Sequence, residues 1–495
     1  PFGGRMESTG HCNDVTRHQL KKSVVPAQAW ALAVGAIIGW GCFVLPGIRF
    51  LPFSGPVATL IGLGLGILAM CIVALCYGIM VKAYPVAGGA FVYAFMGSGR
   101  IAAVICGWGL ALSYSCVIAI NCTALLLLIN FLAPGALHFG YLYTIAGWEI
   151  YLGEIGLLSL LFIFFAYMNY RGAHCANNFQ LLFSLSLVVG VLVLLLGSLT
   201  SDTSSVQNME PFFNEENSPF VSVILVLALA PFLYQGFDTI PQTAEEFSFD
   251  TGKSTMLMIL SIVCGGLLYA FTMLAVSIIR PYPEMLAAKH SWLTGTVAEM
   301  AFGRIGGMIL AIPVMAGIFS GMNGYFIATS RILFSMGRSK FIPAWFEKLD
   351  PKHGTPVNAI LFILAFTLIA AWCGRPVLVW LTDTCALTAA LSYFFTCATA
   401  YKLYKKHPEL VTMPMARAIT ITGSIISLAS FFLLMLPFSP AAISIESWYL
   451  LVFWVILGVV FYRMRLPELK AIPVKDMQFM LTGDRNSPLL FENKD

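Results

Sequence analysis

Long apolar runs separated by short polar stretches extend along most of the chain. A helix needs about 20 mostly apolar residues to cross the hydrocarbon core of a bilayer, and we count twelve runs of this kind. The pattern predicts an all-α polytopic membrane protein with twelve transmembrane helices. The predicted spans are 28–48, 56–81, 101–132, 150–168, 178–199, 219–243, 256–280, 304–336, 357–373, 376–401, 415–437 and 447–463.

The segments between and beyond these spans are short and polar. Two of them, Ala90–Gly97 and Lys340–Leu349, are predicted to form helices at the membrane surface. The stretches 1–27 and 464–495 are predicted to be polar tails. No polar stretch is long enough to form a separate soluble domain.

The composition supports membrane insertion and excludes several other function classes. Charged residues are 11% of the chain and hydrophobic residues 59%, against about 25% and about 45–50% in soluble proteins. The excess apolar surface requires lipid as its solvent. The chain has no basic stripe for nucleic acid, no phosphate-binding glycine loop and no Cys/His ligand spacing. We therefore expect no nucleic-acid partner, no metal and no cofactor.

The distribution of lysine and arginine predicts the orientation in the membrane. If the N-terminus is cytoplasmic, 22 of these residues fall on the inner side and 5 on the outer side. Cytoplasmic loops carry such an excess of positive charge. The asymmetry supports both the twelve spans and a plasma-membrane protein with cytoplasmic N- and C-termini.

Two of the twelve spans contain glycine and proline at mid-depth. The first span contains Gly35, Gly39 and Gly41, and the sixth contains Pro231 and Gly236. Because unpaired backbone groups are costly in hydrocarbon, an interruption there indicates a functional cavity. Two broken helices five spans apart are typical of an inverted repeat with a central binding site. The alternative is that these glycines only allow close helix packing.

The predicted breaks suit a zwitterion. Free N–H groups at the start of a half-helix attract a carboxylate. Free carbonyl groups at the opposing break attract an ammonium group. A site that has both is complementary to an amino acid.

Four motifs, in order along the chain, resemble the amino acid–polyamine–organocation (APC) transporter family. Gly35–Gly47 resembles that family's opening G-x-I-I/M-G-x-G-I/V-F-x-L-P-G/A, and Pro85–Tyr93 resembles its P-x-A-G-G-x-Y-x-Y stretch. Gln235–Glu246 is similar to its sixth-span G-F-D/E…A-E-E, and Ser330–Pro356 to its S-R…P…G-T-P run. The resemblance covers nearly the whole chain.

The resemblance implies a LeuT-like fold that works by alternating access. Two inverted five-helix repeats would span 28–199 and 219–401, with two extra helices in 415–463. The site residues that it implies fall into three groups. The carboxylate group is Ile38, Gly39, Trp40 and Gly41; the amino-group and gate residues are Phe232, Leu233, Tyr234 and Gly236; the side-chain recognition residues are Ser115 and Tyr325.

The fifth span departs from the family pattern. Many proton-coupled members have a lysine there, whereas this span has none and Ser184 is the nearest counterpart. Coupling to H⁺ through that lysine is therefore in doubt. Hydroxyl groups of Ser184, Ser186 or Ser320 are candidates to hold a cation such as Na⁺, and an uncoupled exchanger is the other interpretation.

Acidic residues inside or at the ends of spans are candidates for coupling or gating. Asp238 is interpreted as a proton-linked switch or as a cap for the second half of the sixth helix. Glu245 and Glu246 are interpreted as a cytoplasmic gate partnered with Lys82 or Arg331, or as a solvated face. Asp383 is interpreted as a contact of the pathway or of a cationic substrate, or as a solvated residue near a helix start.

These patterns favour a secondary active transporter, a symporter or exchanger of amino acids. The alternative within the same fold is a transporter of polyamines or other organic amines, which needs carboxylates facing the cavity. An enzyme would need a catalytic constellation inside the spans, and none is evident. A channel would need a selectivity ring built by oligomeric symmetry, and the sequence leaves any partner subunit unknown.

Overall fold

The computed structural model describes residues 24–145, 148–288, 290–374 and 377–491, except for the side chains of 122, 173–179 and 378. Most of the predicted N-terminal tail, residues 1–23, lies outside the described residues. The helices are α1 (Pro26–Ile38), α2 (Gly41–Leu45), α3 (Leu51–Phe53), α4 (Pro56–Ala83), α5 (Ala90–Leu132), α6 (Leu152–Arg171), α7 (Ala173–Thr200), α8 (Pro219–Ala228), α9 (Ala230–Leu233), α10 (Thr239–Gln242), α11 (Gly252–Ile278), α12 (Tyr282–Ala287), α13 (Leu293–Phe302), α14 (Gly306–Arg338), α15 (Val357–Ala371), α16 (Val377–Lys406), α17 (Ala416–Met435), α18 (Ile445–Ala471) and α19 (Val474–Thr482).

Each predicted span coincides with helix in the structure. Within the described residues, nine helical stretches are long and apolar enough to cross a membrane. The other three predicted spans are the interrupted run α8–α10, the 15-residue helix α15 and the more polar helix α16. The protein is thus a polytopic helical membrane protein, while the count of twelve and the inverted repeat stay predictions.

Three connecting segments differ from the sequence prediction. Ala90–Gly97 is helical but buried, because it forms the first turns of α5 before a kink at Gly99. Lys340–Leu349 contains only the 3₁₀ turn Ala344–Glu347. An antiparallel hairpin of β1 (Tyr141–Ile145) and β2 (Trp148–Tyr151) precedes α6 and was not predicted.

Helix α5 lies at the centre of the bundle and packs against α14 and α16. Helix α1 packs against α7, α11 and α14. The outer helices present apolar side chains outward, and Leu160, Leu182, Leu196 and Phe453 are each more than half exposed. Such a continuous apolar exterior is stable in lipid and not in water.

The end of the described chain packs against the bundle instead of extending away from it. The N–H of Leu490 donates to the carbonyl of Met96 at 2.9 Å, and the Tyr84 hydroxyl donates to the carbonyl of Pro488 at 2.7 Å. The ring of Phe491 lies 5.8 Å from that of Phe95. This C-terminal segment therefore covers the end of the bundle where α5 begins.

Candidate functional site

The first apolar run is interrupted between α1 and α2. Gly39 ends α1 with φ +42° and ψ −136°, a conformation that residues with a Cβ rarely adopt. The Gly39 N–H still donates to the carbonyl of Gly35 at 3.1 Å. The next N–H, of Trp40, has no acceptor in the part of the chain that the structure describes. This break therefore leaves a backbone donor free at the start of the following helix.

The sixth apolar run is interrupted between α9 and α10. Residues 234–238 form turns, and Gly236 has φ +136°. Proline at 231 and 241 contributes to the irregularity because it has no N–H to donate. The carbonyl groups of Leu233 and Tyr234 accept no hydrogen bond from any described residue. This break therefore leaves backbone acceptors free.

The two breaks lie against each other. A Cβ added at Gly236 would lie 2.6 Å from the backbone nitrogen of Ile37. The Tyr325 hydroxyl of α14 donates to the carbonyl of Gln235 at 2.7 Å and lies 3.4 Å from the carbonyl oxygen of Ala36. The structure thus contains both interruptions that the sequence predicted, and it places them in contact.

The described structure brings most of the predicted site residues to this junction. Ile38, Gly39, Trp40 and Gly41 are buried at the first break, and Phe232, Leu233 and Gly236 are buried at the second. Tyr325 joins the two breaks.

Two predicted site residues do not turn their side chains to the junction. The Tyr234 hydroxyl donates to the carbonyl of Leu63 on α4 at 2.8 Å, so only its backbone can serve the site. The Ser115 hydroxyl donates to Ala111 of its own helix at 2.7 Å, and this is its only hydrogen bond among the described residues.

Comparison with known proteins identifies the family. Residues 26–461 match the model of the amino acid permease family. The chain belongs to this family. Its fold is therefore that of the APC superfamily, as the motif resemblance indicated.

Relatives of this permease are named as transporters of different substrates. The methylthioribose transporter of Bacillus subtilis (strain 168) is 26% identical, over 87% of this chain and 90% of the relative. The branched-chain amino acid permease BcaP of the same organism is 26% identical, over 90% and 92%. Its serine/threonine exchanger SteT is 27% identical, over 72% and 78%.

Asp238 of the permease holds the second break in shape. Its Oδ1 accepts the Gly236 N–H at 2.9 Å and its Oδ2 accepts the Tyr114 hydroxyl at 2.7 Å. The carboxylate makes no capping bond to α10, so the interpretation as a helix cap is wrong. Sequence reasoning missed Tyr114, because nothing in an apolar run marks which tyrosine meets a carboxylate 124 residues away.

A second polar cluster beside Asp238 joins α5 and α16 to the second break. The Gln235 Nε2 donates to the Ser113 hydroxyl at 2.8 Å, and the Cys385 thiol donates to the Gln235 Oε1 at 2.8 Å. Ser113 also donates to the carbonyl of Cys385 at 2.9 Å. The signal for this cluster was Gln235 itself, an amide inside a broken span, but its partners could not be read from the sequence.

Two of the three serines proposed to hold a cation, Ser184 and Ser320, lie around an amide group. The Gln180 Nε2 of α7 donates to the Ser320 Oγ at 2.5 Å and lies 3.4 Å from the carbonyl oxygen of Ala31. Ser184 donates to that same carbonyl at 2.8 Å. Ser186 instead lines an apolar groove between α7 and α14. Gln180, which the sequence analysis did not consider, is thus the centre of this cluster.

The acidic residues at the span ends form buried ion pairs. Glu246 lies 2.8 Å from the Nε of Arg331 and Glu245 lies 3.3 Å from the Nη2 of Arg338. Glu246 is only 4% exposed, so the interpretation as a solvated face is wrong for it. Arg331 was one of the two partners predicted for this gate.

Asp383 is buried at the other end of the bundle. It is 4% exposed, which excludes the interpretation as a solvated residue. Its Oδ1 lies 3.4 Å from the Nη2 of Arg49, and its Oδ2 accepts the Ser444 N–H at 3.3 Å. Asp383 therefore joins the end of the first apolar run to α16 and to the start of α18.

Proposed function

We propose that this permease is a secondary transporter, not an enzyme, that moves amino acids across the plasma membrane by alternating access. The observation that carries the proposal is the contact between two unwound segments. Among the described residues, the N–H of Trp40 on one segment and the carbonyl groups of Leu233 and Tyr234 on the other have no hydrogen-bond partner. Opposite backbone charges at one buried point match the two ends of a zwitterion.

In the proposed site, the backbone of Ile38 to Gly41 binds the substrate carboxylate. The carbonyl groups of Leu233 and Tyr234 bind the ammonium group, and the ring of Phe232 covers the substrate. Tyr325 contributes by holding the two breaks together through its bond to Gln235. The helix dipole of the segment after Trp40 adds to the attraction for the carboxylate.

The ion pairs are proposed to work as gates at opposite ends of the pathway. With the N-terminus cytoplasmic, Glu246–Arg331 and Glu245–Arg338 close the inner end, and Arg49–Asp383 closes the outer end. Each pair joins helices from different parts of the bundle, so an opening movement must separate the charges. Hydration of the separated charges offsets the lost attraction, because a buried pair has small net stability.

We propose exchange, not Na⁺ coupling, as the transport mode. The Gln180 amide places a neutral donor among the oxygens of Ala31 and Ser320, which a bound cation would otherwise coordinate. The Asn323 Nδ2 donates to the Gln180 Oε1 at 3.3 Å and keeps the Gln180 amide in this orientation. The cluster therefore has its hydrogen bonds without a cation.

The organic-amine alternative is less well supported by the described contacts. A polyamine needs carboxylates free to face the cavity, but Asp238 is bonded to Tyr114 and Gly236. Asp383 is paired with Arg49.

Transport in proteoliposomes tests the proposal. Vesicles with the full-length protein, preloaded with a mixture of unlabelled amino acids, should take up at least one labelled amino acid. This uptake should be faster than in vesicles that contain the protein but no preloaded amino acids. A Na⁺ gradient should not increase the uptake. Absence of uptake and of exchange across all twenty amino acids, with stabilisation by putrescine in a thermal-shift assay, would favour the amine alternative.

A further inference from the structure

Asn121 of α5 has a buried carbonyl oxygen without a hydrogen-bond partner. The residue is 1% exposed, and its Oδ1 has no donor among the described residues. Its Nδ2 donates to the carbonyl of Val117 at 2.8 Å. That bond determines which end of the amide is oxygen, because a flipped amide would oppose two acceptors. Buried acceptors are nearly always paired in proteins, so this oxygen calls for an explanation.

The unpaired oxygen faces two glycines on other helices. A Cβ added at Gly321 of α14 would lie 3.0 Å from the Asn121 Oδ1, and one added at Gly39 would lie 3.5 Å from it. Gly39 is the residue that interrupts the first apolar run. The oxygen therefore lies beside the proposed substrate site, facing backbone that carries no side chain.

The space around this oxygen is narrow and neutral. A Cβ at Gly317 would collide with the carbonyl oxygen of Gly39, so α14 approaches the break closely. The buried carboxylate of the second break, that of Asp238, is bonded to Tyr114 and Gly236. A cationic side chain would find no counter-charge here among the contacts that the structure describes for Asn121.

We infer that the Asn121 Oδ1 accepts a hydrogen bond from the side chain of the transported amino acid, which is small and neutral and carries a hydroxyl or amide group. The inference rests on the proposed function and specifies its substrate class. Asn121 is then a specificity-determining residue, because a substrate whose side chain has the same shape but is apolar leaves the Asn121 oxygen buried and unpaired. Sites built to pair with a substrate donor discriminate strongly against an analogue without one.

Threonine and valine provide the test, because they have nearly the same shape and differ by a hydroxyl in place of a methyl group. The full-length permease in proteoliposomes should transport threonine with a kcat/KM at least about tenfold above that for valine. Asn121→Leu should bring this ratio close to one. Asn121→Ala should bring the ratio close to one as well, without adding bulk. The test therefore does not depend on the correct folding of a single variant.

Thr123→Val is the matched control. Thr123 lies two residues further along α5, and its hydroxyl donates to Ala119 of the same helix at 3.2 Å. This variant should keep the wild-type preference for threonine.

The outcomes separate this inference from the proposed function. If no amino acid is transported, the proposed function fails. If amino acids are transported but the wild type handles threonine and valine equally, only the role of Asn121 is wrong. If Asn121→Leu lowers the rates for both substrates by one factor, the oxygen binds the common ammonium group, and the side-chain assignment is overturned.

Discussion

Gly236 lies directly against the backbone of Ile37, in the last turn of α1 before the break at Gly39, so that the second break touches the end of the first half-helix. The contact joins residues 199 positions apart in the chain, beside backbone groups that have no hydrogen-bond partner among the described residues. A side chain at Gly236 would separate them. The proposed binding of both ends of a zwitterion depends on this approach.

Gly236→Ala is expected to abolish transport and to lower the free energy of unfolding by about 2 kcal/mol or more, because φ +136° is strained for alanine and the Cβ meets the Ile37 nitrogen. Uptake and chemical denaturation in detergent measure the two effects. Gly64→Ala is the control, since a Cβ there has nothing within 4 Å. Equal behaviour of the two variants would contradict the proposed contact.

Tyr114→Phe is expected to lower the free energy of unfolding by about 1–3 kcal/mol, because it leaves one oxygen of the buried Asp238 without its donor. A double-mutant cycle with Asp238→Asn should give a coupling energy of about 1 kcal/mol or more. Tyr93→Phe is the control: that buried hydroxyl has no hydrogen-bond partner among the described residues. Removal of the Tyr93 hydroxyl should change the free energy of unfolding only slightly. A larger decrease in Tyr93→Phe than in Tyr114→Phe would argue against the bond between Tyr114 and Asp238.

Glu246→Gln is expected to destabilise the closed inner end, because it leaves the buried Arg331 guanidinium without its counter-charge. Breaking a buried pair in this way costs about 3–5 kcal/mol. Thiol-reactive labelling of single cysteines along the inner pathway should increase. Glu347→Gln removes a more exposed pair with Lys340, which should cost about 0–1 kcal/mol and leave labelling unchanged. Increased labelling in both variants would mean that the gate assignment is wrong.

Gln180→Leu is expected to reduce transport and to lower the free energy of unfolding by about 1–3 kcal/mol, since the oxygens of Ala31 and Ser320 lose a shared donor. Ser186→Ala is the control on the same helix, because Ser186 lines an apolar groove instead. Stimulation of the wild type by a Na⁺ gradient, lost in Gln180→Leu, would show that the cluster serves a cation after all.

The helical fold was largely predictable from residue order. Every predicted span coincides with helix, because a run of apolar residues that must satisfy its own backbone in lipid has few alternatives to helix. The breaks at Gly39 and Gly236 were also predictable, because glycine and proline in the middle of an apolar run interrupt the regular hydrogen bonding of a helix. The hairpin at 141–151 and the burial of Ala90–Gly97 were not predictable, because short segments take their conformation and burial from the elements that pack against them.

The sequence by itself determined that this protein is a polytopic membrane protein with two interrupted helices, since apolar run length and helix-breaking residues are local properties. Only the tertiary structure decided which polar groups meet. The bonds of Asp238 to Tyr114 and of Gln180 to Ser320 join segments far apart in the chain. The Asn121 oxygen likewise faces Gly321 and Gly39, which lie on other segments. A buried polar side chain is stable only with partners, and the packing of helices selects those partners from many serines, tyrosines and backbone groups of similar chemistry.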